Sequence, residues 1–498
     1  MPLTLLAAAL LRFWALPQGI PFSVQVDEPE VMTRAVAMIK TGDFNPHFFD
    51  YPTLYMYVQA LTAVARFLAG AAQGQWSALA QAPVDAFYLW GRAVTAIAGT
   101  ATVWIVYRAG LRWEARTALL AAAMFAVMPL HVRESHFVLT DVPATFFVAL
   151  ALLLSLRAHE RRTIAAFALA GAAAGLAAGT KYNAGLAIVL PLAGALMTDT
   201  RPSRTAATLA VVGAALGAFL IVAPYTVLDL PTFLNQFARL LSEYRSAPVL
   251  APVAQTYLKH LRNALQWPGS VIVFAGVALG MFRVFRGPER LKWILIAFFP
   301  IFYFRVIATQ NIAYARYLLP LLPFLSLLGA AAIVAAVDAL RDARLPRPVR
   351  SVAIVALLLL AVVPPAYTAM RFDANAAKVW TTEQAYGWIL HSIPAGSRVT
   401  MESRQILLPA TYRTAYLAQL RLRTFEQYVA DGVEYLVASS QCYGPYLDAA
   451  SGGPQRYRAE YDDYMRIFAQ TQEVARFTPS AEHPGPELRV LKITRVAP

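Results

Sequence analysis

The stretch MPLTLLAAALLRFWALPQGIPFSVQVDEPE (residues 1–30) sets an acidic pair, Asp27-Glu28, shortly after an apolar run at residues 3–16. An acidic pair beside a membrane span costs free energy unless it is solvated, paired or used chemically. The run lacks the basic start and the A-x-A end of a cleaved signal peptide, so we interpret it as an uncleaved first helix. The stretch therefore predicts chemistry at a membrane surface.

The composition is that of a polytopic membrane protein. Hydrophobic residues make up 58% of the 498 positions, charged residues 14%, and the mean hydropathy is +0.49. Soluble domains carry about a quarter charged residues. The net charge of +14 does not indicate a nucleic-acid partner, because the basic residues lie in short loops between apolar runs. A single cysteine, Cys442, excludes an internal disulfide.

Eleven apolar runs are long enough, or nearly so, to span a membrane, which needs about 20 residues. They lie at 3–18, 88–107, 116–131, 138–156, 164–180, 183–198, 205–223, 270–285, 291–305, 317–337 and 350–367. The sequence thus predicts an all-α membrane domain over residues 1–368 with about 11 transmembrane helices.

Loop charge predicts the orientation of these helices. If the run 53–72 does not cross, the loops on one side hold 16 Lys and Arg in 44 residues and those on the other hold 11 in 139. Basic loops stay in the cytoplasm, so the N-terminus is predicted inside and residues 369–498 outside. The run 53–72 is then an interfacial or re-entrant outer helix, and 29–40 and 231–245 are amphipathic helices on the outer surface.

Residues 369–498 have the composition of a small soluble α/β domain. The short runs SRVTME, YLVAS and LRVLKI are β-like, whereas residues 382–393 and 461–474 have helical spacing.

Group transfer from a lipid phosphate needs a carboxylate that takes a proton, cations that hold phosphate, and a groove open to lipid. The ionisable residues on the predicted outer face are Asp27, Glu28, Asp50, His131, Glu134, His136, Asp141, Lys181, His260, Arg305 and Arg316. Asp27 is a candidate base, and Lys181, Arg316 and Arg305 are candidate phosphate partners.

Each candidate also has a simpler interpretation. Asp27-Glu28 and Asp141 suit the N-terminal ends of helices. There a carboxylate caps the backbone N–H groups and interacts favourably with the helix dipole. Lys181 and Arg316 suit anchors that reach from a helix end to the membrane surface. For Asp27, capping and catalysis are compatible, and the residues alone do not separate them.

Six motifs, in order, resemble the bacterial GT-C-fold glycosyltransferases of the protein O-mannosyltransferase and aminoarabinose transferase superfamily. The motifs are VDEPE (26–30), FFDYPTLYMY (48–57), YRAGLRWEARTALLAAAMFAVMPLHV (107–132), VLTDVPATFF (138–147), GLAAGTKYNAGL (175–186) and RYLLPLLPFL (316–325). The resemblance implies that Asp27 is the essential carboxylate, with Glu28 completing the pair. Asp141 matches the second outer-loop Asp and Lys181 the lysine that contacts the lipid phosphate.

The resemblance leaves a divalent metal ion open. Asp50 falls where aminoarabinose transferases have a metal-binding Glu, and His260 is the other metal-ligand candidate. Tyr51 replaces the Lys that those enzymes have before the proline. This departure weakens the expectation of aminoarabinose specificity and that of a bound metal.

The leading hypothesis is an inverting glycosyltransferase of the cell envelope, in the cytoplasmic membrane of a bacterium. It would move a sugar from a polyprenyl-phosphate donor to a protein, lipid or glycan hydroxyl. The alternative is a transporter or flippase for envelope glycolipids, which predicts charges near the bilayer midplane. A third hypothesis is a non-catalytic assembly protein. Because the ionisable residues cluster at helix ends on one side, the pattern favours the enzyme.

Overall fold

The computed structural model describes residues 1–21, 25, 27–198, 202–244, 251–286, 289–402 and 406–494. Val26 of the VDEPE motif, Arg245 of the predicted outer helix, and parts of the loops 199–204 and 283–292 lie outside the described residues. The chain divides into two compact units, Met1–Leu16 with Glu30–Asp373, and Pro17–Pro29 with Ala374–Pro498. The predicted domain boundary at 368/369 falls inside the last long helix.

The first part of the chain is helical throughout. Its helices are α1 Pro2–Phe13, α2 Glu28–Thr41, α3 Leu54–Ala72, α4 Tyr88–Gly110, α5 Ala115–Ala126, α6 Pro129–Glu134, α7 Asp141–Arg161, α8 Ile164–Thr180, α9 Val189–Leu196, α10 Arg204–Val222, α11 Tyr225–Leu228, α12 Leu230–Glu243, α13 Ala251–Leu265, α14 Trp267–Arg286, α15 Arg290–Ile307, α16 Leu322–Asp342 and α17 Arg347–Ala376. Short 3₁₀ helices lie at Leu79–Gln81, Val84–Phe87, Tyr182–Ile188 and Ala315–Leu321.

Each of the eleven predicted apolar runs contains a helix, which confirms the all-α membrane domain. Among the described residues, seven helices are long and apolar enough to span a membrane, and four shorter apolar helices accompany them. The outer amphipathic runs are helical as predicted, in α2 and α12. The number of spans stays a prediction.

Helix α3, Leu54–Ala72, is one of the seven long apolar helices. Its length and composition would allow it to cross the bilayer, whereas the loop charges predict that it does not. Its re-entrant placement therefore stays a prediction.

Helices α8 and α10 touch through their backbones. A Cβ atom on Gly171 would lie 2.3 Å from the carbonyl oxygen of Val211, and one on Gly175 would lie 2.1 Å from that of Ala215. Small residues four apart allow such close helix packing in membranes, where burial of apolar surface gives little drive. The contact fixes α8, whose C-cap residue is Lys181.

The second unit contains a five-stranded mixed sheet. Its strands are β1 Arg398–Glu402, β2 Arg413–Leu417, β3 Tyr435–Ser439, β4 Gln472–Phe477 and β5 Leu488–Lys492, in the order β2-β1-β3-β5-β4. β1 is parallel to β2 and β3, and β5 is antiparallel to β3 and β4. The helices are α18 Thr381–Ser392, α19 Phe425–Ala430, α20 Ser440–Leu447, α21 Gly453–Arg456 and α22 Arg458–Ala469.

This unit is the predicted small α/β domain, and the three β-like runs form β1, β3 and β5. The helix predicted over 461–474 is wrong at its end, because α22 stops at Ala469 and Gln472 begins β4. β4 is stabilised by antiparallel pairing with β5, the next strand along the chain, and helical spacing does not reveal that pairing.

Glu402, at the end of β1, ties the sheet of this unit to its helices. Its buried carboxylate accepts hydrogen bonds from the backbone N–H groups of Leu420 and Ser439 at 2.9 and 2.7 Å and from the hydroxyl of Tyr464 at 2.6 Å. Burial raises the pKa of Glu402. The three donors satisfy a group that would otherwise destabilise the core.

The α8–α10 contact predicts a difference between two glycine substitutions. Gly175→Ala should lower the melting temperature in detergent, since overpacking against fixed backbone destabilises by about 1–3 kcal/mol. Gly213→Ala on α10 is the matched control, because no atom lies within 4 Å of its added Cβ. It should melt at or above the wild-type temperature, as Ala favours a helix over Gly. Equal melting of both variants would contradict the close packing.

Candidate functional site

Two helix ends bring opposite charges together. Asp141 is the first residue of α7 and Lys181 caps α8, and Lys181 Nζ donates to Asp141 Oδ1 at 2.5 Å. Their side chains are only 5% and 12% exposed. The N-terminal dipole of α7 also favours the carboxylate. Two sequence-predicted site residues, 40 positions apart, therefore form one nearly buried pair.

Arg316 joins this pair from the 3₁₀ helix Ala315–Leu321. Its Nε atom lies 3.8 Å from Asp141 Oδ2, and its side chain is 16% exposed. The Tyr317 ring centroid lies 4.3 Å from Lys181 Nζ and 5.8 Å from Arg316 Cζ, and that of Tyr314 lies 4.4 Å from Arg316 Cζ. Cation–π contacts of this kind hold cationic groups in place.

Together Asp141, Lys181 and Arg316 carry one more positive than negative charge. Partial burial strengthens their interactions relative to bulk water. A phosphate has the charge and the acceptor oxygens to form charge-assisted hydrogen bonds with Lys and Arg. The cluster, which we call the Asp141 cluster, is therefore suited to binding an anionic group.

A cavity of about 300 Å³ lies beside the Asp141 cluster. Its lining is largely aromatic and aliphatic, with Lys181 and Asp50 as its charged members. The lining residues are Asp50, Tyr51, Lys181, Tyr182, Asn183, Leu186, Phe237, Leu240, Leu241, Tyr244, Val306, Gln310 and Tyr317. A mostly apolar pocket with a few convergent polar groups is the usual form of a small-molecule site.

Three polar features mark this cavity. The hydroxyls of Tyr244 and Tyr317 are 2.6 Å apart. Within the described part of the chain, the buried side-chain oxygens of Asn183 and Gln310 make no hydrogen bond. Buried polar atoms normally have partners. These two amides are thus placed to meet a bound molecule.

Helix α12 forms one wall of the cavity and docks on the segment 45–50. Asn45 Nδ2 donates to Asp229 Oδ2 at 2.8 Å just before α12 begins, and Phe49 packs edge-to-face on Phe233. Gln236 accepts from the Phe49 N–H at 2.8 Å.

One turn along α12, Arg239 Nη2 donates to Asp50 Oδ1 at 2.6 Å. This hydrogen bond raises the pKa of Arg239. Contacts at positions 233, 236 and 239 lie on one face of α12. They hold Asp50 at the cavity wall.

Asp27 and Glu28 lie at the start of α2, as predicted. Glu28 is fully buried, and its Oε2 accepts from the Gln25 N–H at 2.8 Å. The Asp27 N–H donates to Gln25 Oε1 at 2.7 Å, and Asp27 is half-buried. Glu28 therefore helps to shape the turn, which favours a structural role for it and leaves Asp27 as the stronger candidate base.

The candidates Arg305 and His260 have surroundings that differ from those of the Asp141 cluster. Arg305 is exposed near the end of α15 and is outside the set of described residues that line the cavity. His260 lines a second cavity of about 310 Å³, with Arg133, Asn263 and Gln266. Asp50 and His260 thus line different cavities.

The described residues contain no group of three or more His, Cys, Asp and Glu side chains that could hold a metal ion. Zn²⁺ is held by at least three protein ligands, and Ca²⁺ takes six to eight oxygens. Asp50 and His260, the two candidate ligands, therefore do not fit a shared metal site.

Sequence reasoning missed several members of the site. Asn183 and Tyr317 lie inside two of the six motifs but were given no role there. Tyr244, Gln310 and Arg239 lie outside all six motifs. Arg239 lies in a run that was predicted as an outer amphipathic helix, so the helix was found and its contact with Asp50 was not. Spacing along one helix does not show which distant segment packs on it.

The Asp141 cluster predicts a coupled effect on stability. Asp141→Ala should lower the free energy of unfolding by about 1.5–3 kcal/mol, because it leaves two nearly buried cations without their carboxylate. Asp141→Ala combined with Lys181→Met should melt higher than Asp141→Ala alone. Asp338→Ala, which removes the half-exposed partner of Arg116, is the control and should change stability by less than about 1 kcal/mol. Equal losses for Asp141→Ala and Asp338→Ala, measured by melting in detergent, would contradict the buried pair.

A protein-family model matches part of this chain. Residues 90–227 match the family model described as dolichyl-phosphate-mannose-protein mannosyltransferase. The matched range contains Asp141 and Lys181 and leaves out Asp27 and Arg316. Comparison with curated proteins gives no match.

Solved structures share the fold over most of the chain. ArnT from Cupriavidus metallidurans bound to undecaprenyl phosphate is 16% identical, with a TM-score of 0.55 over 100% of this chain and 99% of ArnT. The oligosaccharyltransferase AglB from Archaeoglobus fulgidus, in complex with an inhibitory peptide and a dolichol-phosphate, is 15% identical. Its TM-score is 0.54, over 88% of this chain and 69% of AglB. A complex of the A. fulgidus enzyme with Zn and sulfate has a TM-score of 0.55 at 14% identity, over 97% of this chain and 72% of that one.

At these identities the structures establish the fold, and the family model adds the sequence pattern of a glycosyltransferase around Asp141 and Lys181. Both agree with the predicted class of enzyme, and neither supports the transporter alternative. The chain is a membrane glycosyltransferase of the GT-C fold that resembles the protein O-mannosyltransferase and aminoarabinose transferase superfamily.

Proposed function

We propose that the protein transfers a sugar from a polyprenyl-phosphate donor to an acceptor hydroxyl at the outer face of the cytoplasmic membrane of a bacterium. The observation that carries this proposal is the Asp141 cluster beside a largely apolar cavity. A polyprenyl-phosphate sugar combines the two matching chemistries, an anionic phosphate and a hydrocarbon chain.

In this mechanism Lys181 and Arg316 hold the donor phosphate. As the bond between the anomeric carbon and the phosphate oxygen breaks, the oxygen keeps the electron pair and its negative charge grows. Two preorganised cations stabilise that charge without having to reorient. Asp141 positions both cations and has no part in the bond changes.

The cavity receives the part of the donor next to the phosphate. Its volume of about 300 Å³ is at the lower end of the range for small-molecule pockets. It therefore holds the first isoprene units, while the rest of the chain stays in the bilayer. The exposed leucines Leu230, Leu234 and Leu241 of α12 suit a helix that lies in the membrane interface above this path.

Asp27 is the proposed base. It takes the proton from the acceptor hydroxyl, whose oxygen then attacks the anomeric carbon as the phosphate leaves. This single displacement inverts the anomeric configuration. Glu28 shapes the turn that carries Asp27.

The proposed orientation sets the site and residues 374–498 outside the cytoplasm. The charge asymmetry of the loops supports it. A phosphatase reporter that is active only when exported, fused after Lys378, should be active. Activity of a cytoplasmic reporter at the same position would show that the orientation is the reverse of the proposed one.

Asp27→Asn tests the proposed chemistry. Asn keeps the size and a capping oxygen and loses the basicity that proton transfer requires. In a deletion strain complemented with the variant, we expect the envelope glycan that the wild type restores to fall by about 10²–10⁴-fold in initial rate. Mass spectrometry of envelope glycans over time measures this rate.

Asp85→Asn is the matched control, since Asp85 belongs to a short 3₁₀ helix, Val84–Phe87, outside the site. It should behave as wild type. If Asp27→Asn keeps more than about a tenth of the wild-type rate at equal expression, Asp27 is a cap and not the base.

A further inference from the structure

Asp50 falls where the resemblance implies a metal ligand, and an arginine occupies its carboxylate. Arg239 Nη2 donates to Asp50 Oδ1 at 2.6 Å, and Arg239 Nη1 donates to Glu243 Oε1 at 3.1 Å. Asp50 lines the cavity together with Lys181. A cation is therefore already present beside this carboxylate, which a metal ion would otherwise balance.

The surroundings of Asp50 supply few further metal ligands. His260 lines the second cavity, and no group of three candidate ligands exists among the described residues. A single carboxylate does not meet the coordination needs of Zn²⁺ or Ca²⁺. Mg²⁺ can bind through one carboxylate and substrate phosphates, but here it would have to displace Arg239 from Asp50.

Arg239 lies close to the cavity, and its ion pairs do not hold it rigidly. Its side chain is 51% exposed and that of Asp50 is 24% exposed, so each pair is weak. The guanidinium has five N–H donors. Two of them are used by carboxylates here, and half of the side chain is exposed. Its neighbours Phe237 and Leu240 on α12 line the cavity itself.

We propose that Arg239 supplies, from α12, the positive charge that a divalent ion would supply beside Asp50, so that this enzyme binds its donor without a metal. The inference rests on the proposed function, because it takes the ligand to be a lipid phosphate. Arg239 is then the third cation of the donor site, after Lys181 and Arg316. Since α12 carries it, binding of the phosphate also fixes the wall of the cavity.

Binding of undecaprenyl phosphate to the full chain in nanodiscs tests this inference. The dissociation constant is measured with and without EDTA, and bound metal is measured on the same sample by plasma mass spectrometry. We expect EDTA to leave the dissociation constant unchanged and the metal content to be well below one per chain. Arg239→Gln should weaken binding about tenfold or more, the range for a charge-assisted hydrogen bond. The control Arg66→Gln, on α3 and hydrogen-bonded to Gln75, should leave binding unchanged.

Asp50→Asn separates the two accounts most sharply. If Arg239 is the cation, removal of the carboxylate frees the guanidinium, and binding is retained or becomes tighter. If a metal is the cation, Asp50→Asn removes its ligand and weakens binding.

Stoichiometric metal, with binding that EDTA abolishes and added Zn²⁺ or Mg²⁺ restores, would overturn this inference and leave the proposed donor intact. A folded wild type that binds no undecaprenyl phosphate in either buffer would instead overturn the proposed donor, and the inference with it.

Discussion

A carboxylate held between two cations in a nearly buried place is the interaction on which the site depends. Asp141 contacts Lys181 at 2.5 Å and Arg316 at 3.8 Å, and all three side chains are less than a fifth exposed. Ions in such a place are tolerated only as partners, because each alone carries a large desolvation penalty. The cluster therefore ties together the start of α7, the end of α8 and the segment before α16. Two residues of these segments, Lys181 and Tyr317, also line the cavity.

The fold places these charges at helix ends, next to an apolar cavity suited to a lipid chain. The backbone contact of Gly171 and Gly175 with α10 fixes α8, and Lys181 follows at its end. Next to the cations lies an apolar cavity, and α12 closes it with Phe237 and Leu240. A leaving phosphate meets preorganised positive charge in a site of low polarity, where electrostatic stabilisation is strongest. The same helix carries Arg239, which donates to Asp50 at the cavity wall.

Most of the membrane domain could be predicted from the sequence because a bilayer leaves few choices. Backbone polar groups must be satisfied within a helix, and each apolar run contains one. The Asp141–Lys181 pair could not be predicted, since spacing gives the position of each residue at a helix end and not its partner 40 positions away. The pairing of Arg239 with Asp50, and of β4 with β5, was missed for the same reason. Motif resemblance found Asp141 and Lys181, and it gave no binding role to the tyrosines and amides that line the cavity.

The central claim is that Lys181 and Arg316 hold the phosphate of a polyprenyl donor whose chain enters the apolar cavity. A cryo-EM structure of the protein in nanodiscs with undecaprenyl phosphate measures this directly. The account predicts phosphate oxygens at about 2.7–2.9 Å from Lys181 Nζ, the range for charge-assisted hydrogen bonds, and hydrocarbon density between Leu186 and Leu240. Phosphate density elsewhere, with the cavity empty and no phosphate oxygen within hydrogen-bond distance of Lys181 Nζ, would contradict it.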